Sequence, residues 1–299
     1  MSLTQNEMGR AFEYGIAIAL AGKLQASLIK STQVQIAEQC FNLCPFNEQN
    51  NISKASSEAI SFLVNHDNRL LKSTYSISIQ SDQQGKLGDV RDVIIHNNTL
   101  NVDIGISAKN RHWAVKHSRL SKHINFGKEW FGICCSENYF NQITPLFDEL
   151  EVRKQNSEEW KNISDKKQHY YMPILKAFHS EMITLSNSYP NEVAKRLIKY
   201  LIGKYDFYKI IKENGAVSIY SFNIDGSLKW GNKLPLPSSI VNISQKPGSE
   251  TTLVIIFDHG WQISFRIHNA STLVEPSLKF DINIVGLPGM ISKNEIKYL

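Results

Sequence analysis

The chain has 299 residues, 42% of them hydrophobic and 20% charged, which supports a packed core and excludes a disordered or fibrous chain. Its net charge of +5 is compatible with a polyanionic partner without requiring one. The longest apolar run near the N-terminus, "YGIAIALAG", is too short to cross a bilayer and precedes no small-residue cleavage site, so an unexported, cytoplasmic protein away from the membrane is expected.

Residues 5–24 predict a helix in which Glu13 interrupts an apolar run, and residues 54–71 predict a second. Strict alternation over 74–80 puts Tyr75, Ile77 and Ile79 on one face of a half-buried strand. After the loop "SDQQGKLGD" comes a hairpin whose turn is expected at Asn97-Asn98, because Asn tolerates left-handed backbone angles. From Arg111 to about Lys204 the pattern is mainly helical, beginning with "AVKHSRLSKHI", and Pro173 and Pro190 both suit first turns. After Tyr205 short strands alternate with Gly, Pro and Asn, so a boundary is expected between residues 1–204 and a β-rich 205–299. Cys40, Cys44, Cys134 and Cys135 lack zinc-site spacing and read as free thiols in a reducing compartment.

The window "GDVRDVIIHNNTLNVDIGISAKNRHWAVKHSRLS", residues 88–121, holds the densest chemistry. Taken as a strand, "LNVDIGISAK" turns Val102, Ile104, Ile106 and Ala108 to the core and Asp103, Gly105, Ser107 and Lys109 to the other face. A lysine ending such a strand, opposite an acidic one, suits hydrolysis of a phosphodiester. Carboxylates hold Mg²⁺, which polarises the phosphate and acidifies the attacking water, while the lysine orients that water or stabilises charge developing on phosphorus. Asp103 lies about 13 Å along the strand from Ser107, too far to share an ion with it. A two-residue turn at 97–98 would bring Asp89 beside Ser107 and place Asp92 opposite Asp103; a longer loop would set Asp92 opposite Ser107. Asp92 is favoured, because hydrophobic residues run on directly after it. The stretch that follows supplies Asn110, Arg111, His112, Lys116, His117 and Arg119, a density suited to phosphate contacts and equally to a solvated basic helix.

The segments "GDVRDV", "IGISAKNRHWAVKHSRLS", "GRAFEY", "GKEWFGICCSENY" and "GWQISFRIHNAST…EPSLKFDINIVG" resemble the HaeIII-type restriction endonucleases, a branch of the PD-(D/E)xK nucleases, over nearly the whole chain. The resemblance implies an α/β nuclease core with a mixed central sheet flanked by helices, plus a β-rich C-terminal part. It implies a type II enzyme that cuts double-stranded DNA as a homodimer with Mg²⁺, at GGCC with blunt ends, in a system with a cognate DNA methyltransferase. Ser107 departs from the superfamily pattern, which has Asp or Glu two residues before the lysine. A compensating acid is expected at Glu13, costly to bury without a partner, with Glu129 the other candidate. The expected catalytic set is Asp92, Asp89, Ser107, Lys109 and Glu13. The metal ligand is expected to be Asp92 or Asp89, with Glu13 beside it, or Asp103 if the turn is tight.

For base readout, "WQISFRIH" points Trp261, Ile263, Phe265 and Ile267 to the core and Gln262, Ser264, Arg266 and His268 outward. A strand with such a polar face fits the major groove, where arginine pairs with guanine. Arg266 and Asn269 are the expected base contacts with Gln262 beside them, and His268 and Lys279 contact base or phosphate. Two other readings stand beside the enzyme. One is a DNA-binding protein on a nuclease-like fold that lost catalysis at Ser107, against which Lys109 argues; the other is a metabolic or carbohydrate-binding α/β protein, which explains neither the basic cluster nor the polar strand.

Overall fold

The computed structural model describes residues 3–71, 73–81, 84, 88–111, 114–116 and 118–298, the side chains of 114–116 excepted. In chain order it runs α1 (Gln5–Leu24), β1 (Ser27–Leu28), α2 (Thr32–Leu43), α3 (Phe46–His66), β2 (Tyr75–Ile79), β3 (Val93–Asn97) and β4 (Val102–Asn110). It continues through β5 (Ala114–Lys116), β6 (Arg119–Leu120), α4 (Phe126–Phe131), α5 (Glu137–Gln155), α6 (Met172–Ser188) and α7 (Pro190–Ile202). It ends with β7 (Phe207–Lys212), β8 (Ala216–Phe222), β9 (Ile240–Gln245), β10 (Thr252–Phe257), β11 (Gln262–His268), β12 (Leu278–Gly286) and β13 (Lys293–Lys297).

These elements form two compact units. The first takes residues 1–113, 203–235 and 290–299, and the second takes 114–202 and 236–289. The division is discontinuous, unlike the single boundary at 204/205 expected from composition. Its cause is strand pairing. β7 joins β4 in parallel and β13 closes on β8, so late strands complete a sheet begun early in the chain.

In the first unit a seven-stranded mixed sheet has the order β1-β2-β3-β4-β7-β8-β13. Helix α1 starts at a capping box, where the Thr4 hydroxyl accepts from Glu7 N–H and the Glu7 carboxylate accepts from Thr4 N–H. Its buried face, Ala11, Phe12, Ile16, Ala17 and Leu20, joins residues of α2 and α3 over Ile77, Ile79, Val93, Ile95, Ile104, Ile106 and Ala108. Gly15 lets α1 and α3 approach closely: a Cβ there would sit 2.4 Å from Ile52 Cγ2. Three helices thus seal one face of the sheet and leave the alternate residues of β3, β4 and β7 on the other.

In the second unit β5-β12-β11-β10-β9 form an antiparallel sheet, with β6 also paired to β12. The residues expected to be buried in this stretch, Trp261 just before β11 and Ile263, Phe265 and Ile267 on it, are all at most 1% exposed. Phe265 packs among Phe280, Phe178 and Trp130, with ring centroids 5.7–6.0 Å from its own. The stretch from Ala114 expected to be helical instead forms β5 and β6, because pairing with β12 outweighs local propensity. The mixed sheet, flanking helices and β-rich C-terminal part match the expected fold class. Among the described residues all four cysteines are free thiols, and no helix is long and apolar enough to cross a membrane.

Candidate active site

The hairpin between β3 and β4 takes the longer of the two connections. Asn97 pairs with Val102 and Val93 with Ile106, so residues 98–101 make the turn and Asn101 adopts the left-handed region at φ 51°. A turn at 97–98 is corrected accordingly. The longer loop brings Asp92 level with the Ser107 end of β4, where three donors converge on one oxygen. Asp92 Oδ2 accepts from Ser107 Oγ at 3.1 Å, from the backbone N–H of Ala108 at 2.8 Å and from Lys109 Nζ at 2.9 Å. Ser107 is buried, whereas Lys109 and Asp92 keep 29% and 21% of their side chains exposed, so the cluster opens at the lysine.

Asp89 is engaged elsewhere. It accepts from Arg91 Nε at 2.8 Å and Nη2 at 2.7 Å, and from Gln80 Nε2 at 2.9 Å. Burial pushes its carboxyl up, but these bonds and the guanidinium charge outweigh burial and hold it below the usual carboxylate range. Arg91 in turn lies 4.1 Å over the Tyr205 ring and across Gly105, where a Cβ would meet Arg91 Cδ at 1.9 Å. Asp89 therefore buttresses the loop that carries Asp92.

Asp103 pairs with His96 at 2.7 Å, and His96 reaches Ser78 at 2.9 Å, in a polar row across β2, β3 and β4. With the longer loop Asp103 is placed away from Asp92, which corrects its candidacy as a shared metal ligand. Glu13 is half-buried on α1, the helix over the opposite, apolar face of β4, and Glu129 is exposed on α4 of the second unit. Asn110 falls on the helix-covered face with 6% exposure, and its backbone carbonyl accepts from Gln5 at 2.8 Å. That burial corrects its reading as a DNA contact. Arg111 is exposed, with φ 57°. His112, His117 and the Lys116 side chain lie outside the described residues.

Sequence reading passed over Lys209. It stands beside Ser107 in the parallel β4–β7 pairing and is 2% exposed. Burial first, and the charge of Lys109 second, pull its ammonium down to about 7, while Asp92 pulls the other way. The available signal was "FYKIIK": lysines on both faces of an otherwise apolar strand imply a buried lysine once that strand is central.

The hard-cation expectation fits this donor set in one form. Among the described residues no group of three or more His, Cys, Asp or Glu side chains could hold a metal. Mg²⁺, however, commonly binds through one or two carboxylates and completes its shell with water and phosphate oxygens. The three donors to Asp92 all meet Oδ2, so Oδ1 takes part in none of those bonds.

On the second unit, Arg266 and Asp281 face each other across β11 and β12, with Arg266 Nη2 2.6 Å from Asp281 Oδ2. His268 Nε2 lies 3.1 Å from the same oxygen. Burial raises the Asp281 carboxyl, but the bonds and charges of Arg266 and His268 outweigh it and bring it to about 2. The Arg266 side chain remains 58% exposed. Gln262 and Lys279 are half-buried on the strands beside it. Arg119 donates to Ser277 Oγ at 2.8 Å. The Asn269 amide is committed to the chain itself, accepting from Tyr171 Oη and donating to the Ser271 carbonyl, both at 2.8 Å, which corrects its place as a base contact.

The sequence profile described as HaeIII restriction endonuclease matches residues 9–288. The chain is 37% identical over 310 aligned positions to the type II restriction enzyme HaeIII of Haemophilus aegyptius, covering 97% of each chain. No solved structure matches it.

Proposed function

The chain belongs to the HaeIII restriction endonuclease family and is an endonuclease that acts on DNA; from that premise we propose that it cuts double-stranded GGCC with blunt ends, using Mg²⁺ held at Asp92. The observation that carries the site assignment is the convergence of Ser107, Ala108 and Lys109 on one oxygen of Asp92.

Asp92 is the residue to hold the cation, since it is the carboxylate at the lysine end of β4. A bound Mg²⁺ supplies Lewis-acid polarisation of the phosphodiester and a lower pKa for a coordinated water. The chain's own groups do the rest. Ser107 and the Ala108 N–H fix the carboxylate, and Asp89 with Arg91 fixes the loop before it. Lys109, partly exposed, meets the scissile phosphate and stabilises the charge that grows on its oxygens as water attacks phosphorus. In the second unit, Arg266 reads guanine from a sheet face that also carries Lys279 and Gln262. A palindromic target suits a homodimer with one active site for each strand. A cognate methyltransferase protects the same site without touching this protein, and both work in the cytoplasm.

The test uses an end-labelled duplex with one central GGCC and a second with GGCC scrambled. Cleavage of the first alone, at the same phosphate step on both strands, supports the site and the blunt cut. Cutting elsewhere, or staggered ends, overturns those particulars. Sedimentation of the protein with and without duplex reports the dimer.

A further inference from the structure

Among the described residues of β5, β6 and β9 to β12, Asp281 is the only acidic one. It stands among basic side chains. Arg119 pairs with Lys279, Lys279 with His268, and Asp281 with Arg266, so two neighbouring rows across β6, β12 and β11 set all five on one face. The other face of these strands, with Phe265, Ile267, Leu278 and Phe280, is buried. Asp281 is the more enclosed member of its pair, with 19% of its side chain exposed against 58% for Arg266. Its Oδ2 accepts from Arg266 Nη2 at 2.6 Å and has His268 Nε2 at 3.1 Å.

We propose that Asp281 is a positioning residue for sequence readout, whose carboxylate fixes the Arg266 fork toward guanine while its charge lowers affinity for DNA at large. A carboxylate on a face that meets DNA repels the phosphates, whatever the sequence. It supplies geometry instead. Arg266 Nη2 carries two hydrogens, and giving one to Asp281 leaves the second, beside a donor on Nε or Nη1, as a two-donor edge. Guanine offers N7 and O6 to such an edge in the major groove. A guanidinium already held in place also loses less rotamer freedom on binding than one that swings in solvent. The inference rests on the reading of Arg266 as the guanine contact.

The test measures cleavage of the GGCC duplex with Mg²⁺, with an unrelated duplex as competitor, for wild type, Asp281→Ala, Arg266→Ala and the double variant. Asp281→Ala is expected to raise KM for GGCC about tenfold with kcat within about threefold, because the guanine contact now comes from an unheld fork. Its inhibition constant for the unrelated duplex is expected to fall about two- to threefold, since one negative charge has left the face. A merely structural lesion would weaken the hold on both duplexes, and loss of a carboxylate that only repels DNA would tighten both. Either outcome overturns the proposal. Arg266→Ala is expected to raise KM as well, and adding Asp281→Ala to it should raise KM no further. Asp281→Thr, whose side chain suits a strand, is held to the same criteria if the alanine variant does not fold. A wild type that leaves GGCC uncut removes the target reading, and Arg266→Ala with the wild-type KM removes the reader; each takes the proposal with it. Wild-type KM for Asp281→Ala while both readings stand overturns the proposal alone.

Discussion

Oδ2 of Asp92 takes the backbone N–H of Ala108 at 2.8 Å, and the ammonium of the next residue, Lys109, reaches the same atom at 2.9 Å. The carboxylate therefore continues the β3–β4 ladder just past its last strand pair while also holding the lysine. Asp92→Ala is expected to reduce cleavage on the order of a thousandfold, because metal ligand and lysine partner vanish together. It also leaves the Ala108 N–H unsatisfied, so stability should fall by about 1–3 kcal/mol in urea unfolding. An alanine variant that cuts at the wild-type rate would remove Asp92 from the site.

Gly105 leaves room for Arg91, whose Cδ would lie 1.9 Å from an added Cβ. Gly105→Ala is expected to expel Arg91 from Asp89 and Tyr205 and to cost about 1–3 kcal/mol of stability, as overpacking does. In the Arg91→Ala background the same substitution should be close to neutral, since its clash partner is gone. Additive losses in that double-mutant cycle would contradict the account.

The division of faces on β4 was legible: Ile104, Ile106 and Ala108 lie in the core, with Ser107 and Lys109 on the other side. The register was not, because nothing in the strands themselves sets the length of the loop between them. Ile106 pairs with Val93 instead of Asp89, a shift of four residues that keeps the faces, and that shift decided between Asp89 and Asp92. Arg91 claims Asp89, and the sequence offered no reason to choose that partner over solvent. Strands β5 and β6 were missed because a partner more than 150 residues away creates them. Lys209 escaped notice for a related reason, since its burial depends on β4 and β8 flanking β7 rather than on its own neighbours.

Arg266 keeps 58% of its side chain exposed while Asp281 holds its guanidinium from the next strand. Arg266→Ala is expected to cost about 1–3 kcal/mol of discrimination between GGCC and a site with one guanine replaced. Binding to unrelated duplex should change little. Competition binding at fixed salt measures both, and equal losses on the two duplexes would make Arg266 a phosphate contact instead.

The bonds and charges of Arg266 and His268 outweigh burial and hold the Asp281 carboxyl down at about 2, so its pairing stabilises the fold above the unfolded value of about 4. That contribution is lost as pH falls through about 2. The stability gap between wild type and Asp281→Asn should therefore be full at neutral pH and shrink as pH falls from about 4 toward about 2. Urea titrations across that range check the sign, and a gap that widens in acid would contradict it.

The most direct measurement of the central claim is digestion of a plasmid of known sequence with Mg²⁺, beside Lys109→Ala and an EDTA control. Wild type is expected to give discrete fragments ending at GGCC, and both controls intact plasmid with the variant still folded and bound to DNA. Fragments that persist with Lys109→Ala would contradict the assignment of the Asp92–Lys109 cluster as the cleavage site.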